Sequence, residues 1–335
     1  MLRPFTNISI NNEQLRSIAS NVVIESRRNE FTDTARIVMP NNITGKGEKV
    51  SDLFKLGDPV IIDMGYYPNS STRFTGYISE IVPDRTATII CEDEAYVYKR
   101  KTIEKAVLLK NTTTTALFNQ IFEGEKIVFD AKIGDWKIGK DASLFDVLNK
   151  LLKDFSIFSY FRDSVLIVGG GLNDELGNEV IITADFQGNV PQSESSIDFT
   201  NATSEQTIVK GSSQKRDGTK IIVYGYYGSG NTIITSTTKP NGAINGEIKL
   251  GENDEIDEAT LTEAVIRKLE AISFTGVNGS LTIYGEPQVL HGDIVNIIDR
   301  TRPEINGQYK CVGVITSFGV DTGFRQELEL GIKVS

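Results

Sequence analysis

The sequence predicts a mainly β protein with α+β insertions, built on two homologous small antiparallel β-barrels. Ile, Val and Thr supply 92 of the 335 residues, and these β-branched side chains suit a pleated strand better than a helix. Short apolar runs separated by turn residues recur through the first 100 residues, which is typical of sandwiches and barrels. An internal repeat provides the third observation.

Residues 1–100 predict the first β-barrel domain. Turn residues such as Pro40-Asn41-Asn42 separate its strands, as expected for hairpin connections. The expected strands are Val22–Glu25, Thr34–Met39, Pro59–Met64, Phe74–Val82 and Ala87–Glu92, with one helical turn over Ser51–Leu56.

Residues 101–178 predict an α+β domain, because apolar residues there recur at helical spacing. Asp141 or Ser143 is the expected N-cap of its second helix. The expected elements are helices over Thr114–Phe122 and Ala142–Phe155 and strands over Ile157–Phe161 and Val165–Val168.

Residues 179–227 and 280–335 together predict the second β-barrel domain. Residues 228–279, rich in Gly, Asn, Thr and Ser at their start, are expected to form an inserted segment of loops, strands and one helix. That helix is expected over Asp257–Ile272, with Thr260 and Glu263 as a capping box. The expected barrel strands are Val180–Thr183, Thr207–Lys210, Lys220–Tyr227, Ser280–Tyr284, Asp293–Ile298, Tyr309–Ser317 and Phe324–Ile332.

The internal repeat pairs two Gly-Asp turns, each followed by a strand, eleven residues and an aromatic residue that opens the next strand. The repeat positions, 235 residues apart, are Gly57, Asp58, Val60, Ile62 and Phe74 in the first copy and Gly292, Asp293, Val295, Ile297 and Tyr309 in the second. The alternative is that two unrelated hairpins share a turn and an alternation. Equal gaps favour two homologous barrels.

Composition excludes several classes of function. The chain carries 35 Lys and Arg against 45 Asp and Glu, a net charge of −10, which opposes nucleic-acid binding because phosphate contacts need basic side chains. The single histidine, His291, disfavours His-based catalysis and His-rich metal sites. Cys91 and Cys311 have no CxxC motif and are expected to be reduced core thiols of a cytoplasmic protein. No stretch resembles a secretion signal or a membrane span.

No motif predicts a catalytic residue, a cofactor or a metal. The glycine run that ends at Gly171 has Asp174 where a dinucleotide loop needs a third glycine, and Gly225–Gly230 lacks the Gly-Lys-Ser/Thr of a P-loop. The acidic runs Cys91–Glu94 and Glu252–Glu258 lack calcium-loop spacing and are expected to be solvated faces.

Two further expectations concern single side chains. His291 is expected in a surface turn, since no Cys or second His lies near it. In Tyr66-Tyr67 and in Tyr226-Tyr227, one ring is expected to pack inward and the other to face solvent or a partner.

The order and spacing of several segments resemble the central baseplate hub proteins of contractile phage tails. These are also called late control protein D-like proteins, and they correspond to the N-terminal part of type VI secretion spike proteins. The segments are Phe31–Pro40, Gly57–Ile62, Phe74–Ile81, Leu281–Pro287, His291–Val295, Gly307–Tyr309 and Phe324–Leu330.

The resemblance implies a homotrimer in which three subunits, each with two barrels, form a ring of six that joins a six-fold tail tube to a three-fold spike. The implied partners are further copies of the chain, the tail tube protein, other baseplate proteins and a separate spike protein, since the chain ends one strand after the second barrel. The implied location is the virion tail baseplate, after assembly in the bacterial cytoplasm.

The acidity suggests a hypothesis, that acidic residues line the lumen of the trimer so that cargo passes without sticking. In the alternative, the acidic residues are scattered over the outer surface. Two other functions stay open at this point, a β-rich carbohydrate- or protein-binding module and a tail-associated peptidoglycan hydrolase.

Overall fold

The computed structural model describes residues 3–42, 48–169, 181–186, 188, 190, 196–201, 207–215, 217–228, 232–250, 256–272 and 275–333. The chain divides into two compact units. The first unit comprises Met1–Val97, Glu179–Phe199 and Val277–Ser335, and the second comprises Tyr98–Asn178 and Thr200–Gly276.

The described residues are mostly strand. The strands are β1 (Pro4–Ile10), β2 (Glu13–Arg16), β3 (Asn21–Arg27), β4 (Thr34–Pro40), β5 (Pro59–Tyr66), β6 (Asn69–Val82), β7 (Thr86–Glu92), β8 (Val107–Thr113), β9 (Lys126–Val128), β10 (Lys132–Ile138), β11 (Phe158–Arg162), β12 (Val165–Gly169), β13 (Ile181–Asp185), β14 (Ser196–Asn201), β15 (Ile208–Gln214), β16 (Lys220–Tyr227), β17 (Ile233–Ser236), β18 (Ile244–Leu250), β19 (Thr275–Tyr284), β20 (Ile294–Ile298), β21 (Gly307–Gly319) and β22 (Gly323–Lys333). The helices are α1 (Val50–Leu53), α2 (Ala95–Arg100), α3 (Thr114–Ile121), α4 (Leu144–Phe155) and α5 (Glu258–Ile272), with a 3₁₀ turn at Pro303–Ile305.

One continuous 13-stranded sheet builds the first unit. Its order is β14-β19-β22-β21-β3-β4-β7-β6-β5-β1-β2, and β20 pairs with β21 and with β13. We call β1–β7 the first barrel and β13, β14 and β19–β22 the second barrel. The two-barrel, mainly β fold predicted from the sequence is confirmed, with one exception to antiparallel pairing, because β13 runs parallel to β20.

Each barrel encloses its own apolar core, because successive side chains of a strand point to opposite faces of the sheet. Ile8, Ile37 and Ile62 are fully buried in the first core, and Leu281 and Tyr309 are fully buried in the second. Strand β1, which is not among the strands expected from the sequence, follows the same rule in its burial pattern.

The described part of the second unit contains three smaller sheets and three helices. The sheet orders are β10-β8, β11-β12-β9 and β17-β16-β15-β18. Helix α5 packs on the four-stranded sheet where glycines leave room. An added Cβ at Gly211 would lie 2.4 Å from a Val265 methyl, and one at Gly225 would lie 2.6 Å from the same side chain.

Two domain boundaries differ from the sequence expectation. Strands β15 and β16, expected in the second barrel within residues 179–227, pair instead with β17 and β18. The expected inserted segment, residues 228–279, supplies those partners and helix α5, so most of it belongs to the second unit. Backbone pairing with strands later in the chain decides this membership.

The helix caps bear out one expectation and correct another. Ser143 caps α4, and its hydroxyl accepts a hydrogen bond from the Asp146 amide at 3.1 Å. Helix α5 is capped by Asp257, whose carboxylate accepts from the Thr260 amide at 2.8 Å. The expected capping box of Thr260 and Glu263 is therefore wrong, because both residues lie within the helix.

Candidate functional site

The Gly-Asp turn of the first barrel is fixed by backbone hydrogen bonds to β6. The Gly57 amide donates to the Ile78 carbonyl at 2.8 Å, and the Ile78 amide donates to the Asp58 carbonyl at 3.0 Å. The Asp58 carboxylate accepts from the Lys55 amide at 2.8 Å. Gly57 has φ 88°, a left-handed conformation that favours glycine.

The Gly-Asp turn of the second barrel has the same hydrogen bonds. The Gly292 amide donates to the Cys311 carbonyl at 2.7 Å, and the Cys311 amide donates to the Asp293 carbonyl at 2.8 Å. The Asp293 carboxylate accepts from the Leu290 amide at 2.8 Å, and Gly292 has φ 95°. The two turns are equivalent in their backbone.

The apolar repeat positions lie inside the two cores. Side chains at these positions are at most 5 % exposed, at Val60, Ile62, Phe74, Val295, Ile297 and Tyr309. The repeat therefore places corresponding strands against corresponding cores.

The aromatic members of the repeat, Phe74 and Tyr309, are not equivalent in register. Val60 faces Gly76 across the first hairpin, whereas the matching Val295 faces Tyr309 across the second. Tyr309 thus corresponds to Gly76, and the expected pairing of Phe74 with Tyr309 is corrected by two residues. A shift of two keeps each side chain on its own face of the sheet.

The equivalence extends beyond the turn to the neighbouring strands. Pairing is irregular between Ile78 and Glu80 of β6 and at the matching place between Cys311 and Gly313 of β21. The order β3-β4-β7-β6-β5 in the first barrel matches the order β14-β19-β22-β21-β20 in the second, whereas β1 runs antiparallel to β5 and β13 runs parallel to β20. We therefore match β6 with β21, β7 with β22 and β3 with β14.

The two barrels of one chain meet where β3 pairs with β21. Arg27 of β3 reaches across β21 to Glu329 of β22, with Nη2 at 2.8 Å from Oε1 and Nε at 3.0 Å from Oε2. These hydrogen bonds raise the pKa of Arg27. Gly313 makes the crossing possible, since an added Cβ there would lie 2.6 Å from Glu329 and 3.0 Å from Arg27.

A second ion pair at this junction joins Arg73 of β6 to Glu286, which follows β19. Arg73 Nη2 also donates to the Gly285 carbonyl at 3.2 Å, and its guanidinium lies 5.1 Å from the centre of the Phe324 ring. Burial lowers the pKa of Arg73, while Glu286 acts in the opposite direction. Because Arg73 and Glu286 are 213 residues apart, no local sequence signal reveals this pair.

Tyr66 and Tyr67 divide as expected. The Tyr66 hydroxyl donates to the Phe324 carbonyl at 3.2 Å, and its ring lies 5.5 Å from that of Phe324, whereas Tyr67 is 72 % exposed. Tyr226 and Tyr227 are both half-buried, so neither ring is fully inward or outward.

His291 and the two cysteines are all buried. His291 is 2 % exposed, which corrects the expected surface turn, because that turn is hydrogen-bonded against β21 through Gly292. Cys91 and Cys311 form no disulfide and are both buried, as expected of core thiols. Burial raises the pKa of Cys91 to about 12.

The acidic run beside Cys91 is not the solvated face expected from the sequence. Asp93 is 7 % exposed, and its carboxylate accepts from the Ala95 amide at 3.1 Å. Part of each remaining motif, namely residues 170 and 171, residues 229 and 230 and residues 252–255, lies outside the described residues. Among the residues that are described, no group of three or more His, Cys, Asp and Glu is placed to hold a metal ion, and no helix is long and apolar enough to cross a membrane.

Comparisons with solved structures identify the fold. The tail protein from Neisseria meningitidis MC58 superposes with a TM-score of 0.66 at 15 % identity, covering 98 % of this chain and 96 % of that one. The 43 kDa tail protein of prophage MuSo2 from Shewanella oneidensis superposes with a TM-score of 0.61 at 14 % identity, covering 98 % and 97 %. The Escherichia coli c3393 protein, a component of the type VI secretion system, gives 0.55 at 12 % identity, covering 98 % and 77 %.

The chain therefore has the fold of phage tail and type VI secretion proteins. The resemblance read from the sequence to the baseplate hub family is confirmed at the level of the fold. No protein-family model and no curated protein matches the chain.

Proposed function

We propose that this protein is a structural, non-enzymatic hub of a contractile-tail baseplate or a related injection system. Three copies form a ring of six barrels that joins the tail tube to a separate spike protein and contacts other baseplate proteins. The observation that carries the proposal is the shared strand order and turn geometry of the two barrels.

Equivalent modules are what such a ring requires. A closed ring with head-to-tail contacts repeats one interface around its axis, so neighbouring modules need the same backbone. Two modules per chain and three chains give six positions, which suits a six-fold tube, while the three chains suit a three-fold spike. The tail-protein fold of the structural neighbours supports the same reading.

The junction inside the chain supplies a pattern for the junction between chains. Inside the chain, β21 pairs with β3, and the matching strands are β6 and β14. In the described part of the chain, β14 has β19 as its one neighbour, and the Glu80–Val82 end of β6 pairs with β7 alone. We therefore place β14 of one subunit beside the Glu80–Val82 end of β6 in the next.

The mass of the particle in solution tests the ring. Light scattering after size exclusion should give three copies of the 36.9 kDa chain, alone or after addition of the tube and spike proteins. A chain that stays monomeric with both partners present contradicts the hub, and it favours a carbohydrate- or protein-binding module or a hydrolase instead.

Disulfide cross-linking tests the placement of the strands. Both native cysteines are buried. We therefore combine Glu80→Cys with one further cysteine, placed in turn at each position from 196 to 201. These double variants should give covalent trimers under oxidation. Thr75→Cys is the matched control, since it lies on the same strand where β5 covers the edge. Equal cross-linking from Glu80→Cys and Thr75→Cys contradicts the placement.

The acidic lumen remains part of the proposal. If acidic side chains line the channel, cargo of negative charge is repelled from its wall and passes without adhering. An experimental structure of the assembled trimer tests this, and a lumen lined mainly by Lys and Arg contradicts it.

A further inference from the structure

The open face of the four-stranded sheet in the second unit carries a basic groove. Helix α5 covers the other face of this sheet, where it packs on Gly211 and Gly225. The groove has a volume of about 250 Å³, and it is lined on three strands by Lys210, Ser212, Ser213, Gln214, Lys220, Ile222, Lys249 and Leu250.

The strand register brings the three lysines around two neutral polar side chains. Ser212 of β15 stands beside Lys249 of β18, and Gln214 of β15 stands opposite Lys220 of β16. Lys210 lies two residues before Ser212 on the same face of β15, about 7 Å along the strand. The ammonium groups of Lys220 and Lys249 and the Gln214 amide can donate hydrogen bonds to an anion, whereas the Ser212 hydroxyl donates to the Ile248 carbonyl at 3.4 Å.

Glu247 neutralises only part of this charge. Its carboxylate accepts from Lys210 at 2.8 Å and lies 3.9 Å from Lys249, and these contacts lower the pKa of Glu247. Three lysines against one glutamate leave two net positive charges, in a chain whose net charge is −10. The Lys249 side chain is 78 % exposed, so it is free to reach a partner.

We propose that this groove binds an acidic segment of another protein through its Asp or Glu side chains. The groove is smaller than the roughly 300–1,000 Å³ pockets that enclose small-molecule ligands, and it suits a few side chains of a larger partner. A nucleic acid fits less well, because its continuous phosphate charge would extend past the groove onto the acidic remainder of the chain. This inference does not depend on the hub function.

Binding of a fluorescein-labelled hexaglutamate peptide, followed by anisotropy, tests the proposal. We expect binding at about 20 mM NaCl that is lost at about 500 mM, because salt screens exposed charges. The K220E/K249E variant should weaken binding at least about tenfold, since it turns attraction into repulsion at two positions.

The K137E/K140E variant is the matched control, because it changes the net charge equally at exposed lysines of the same unit. Its affinity should stay within about twofold of wild type, since neither lysine lines the groove. Equal weakening by the two variants, absence of salt-sensitive peptide binding, or tighter binding of a six-nucleotide DNA through the same lysines would each overturn the proposal.

Discussion

The ion pair between Arg73 and Glu286 should respond very differently to removal of each partner. The Arg73 side chain is 1 % exposed, whereas that of Glu286 is 43 % exposed. Burial is the main influence on Arg73 and lowers its pKa, so the fold holds a cation where charge is costly. Loss of the exposed carboxylate should therefore harm stability more than loss of the buried guanidinium.

The magnitudes follow from what each substitution leaves behind. Glu286→Gln leaves the buried guanidinium without its counter-charge, which costs about 3–5 kcal/mol in a fully buried pair. Water at the half-exposed Glu286 screens part of this, so we expect about 2 kcal/mol. Arg73→Met loses the pair and the stacking on Phe324, about 1 kcal/mol each.

Arg73→Met also removes a cost that the native junction carries. Among the described residues, Nε and Nη1 of Arg73 have no hydrogen-bond partner, and a buried unsatisfied donor costs about 1–3 kcal/mol. The net change for Arg73→Met should therefore lie within about 1 kcal/mol of zero.

Equilibrium unfolding in guanidinium chloride, followed by circular dichroism, measures both variants. Glu247→Gln is the control, because its partner Lys210 lies on the exposed face of a different sheet. Loss of the Glu247 carboxylate should give no measurable change in the free energy of unfolding. A Glu286→Gln variant no more destabilising than Glu247→Gln would contradict this order of effects, and so would an Arg73→Met variant that is more destabilising than Glu286→Gln.

Three further predictions concern the caps, the thiols and the repeat turns. Asp257→Ala should cost about 1 kcal/mol of unfolding free energy at pH 7. The Thr260 hydrogen bonds lower the pKa of Asp257 from its usual 3.8. The stabilisation by this cap is therefore complete above about pH 5, and it fades as the pH falls below 3.8 through the pKa of Asp257 in the folded state. A difference in unfolding free energy between wild type and variant that stays constant down to pH 2 would contradict this. Cys91 and Cys311 should resist a thiol reagent at pH 8 in the native state and react fully in denaturant, and rapid native labelling would show that their burial is wrong. Gly57→Ala and Gly292→Ala should each cost about 1–2 kcal/mol, because both turns need a left-handed residue, and a neutral effect at either turn in urea unfolding would count against its geometry.

The sequence predicted the two repeat turns better than the pairing that follows them. Gly-Asp turns and alternating apolar residues are local signals, and both are readable without a structure. The distance from the turn to the paired strand is not local. Because a slip of two residues keeps Phe74 and Tyr309 inside their barrels, alternation alone cannot distinguish the two registers.

Partners far apart in the chain explain the remaining differences between the sequence predictions and the structure. Strands β15 and β16 have the same apolar character as barrel strands, and only their pairing with β17 and β18 assigns them to the second unit. The partner of Arg27 is 302 residues away. The basic groove likewise exists only because three strands bring Lys210, Lys220 and Lys249 to one face.

The junction inside the chain and the proposed junction between chains share a backbone but differ in side chains. Where Gly313 lets Arg27 reach Glu329, the matching residue of β6 is Glu80. Because Gly313 pairs with Glu329 and Glu80 pairs with Ile90, an apolar residue replaces the carboxylate that Arg27 uses. The Arg27–Glu329 pair therefore cannot recur at the proposed junction between subunits, where strand pairing like that of β3 with β21 is the contact we propose. In the proposed ring, the junction within each chain thus has an ion pair that the junction between chains lacks.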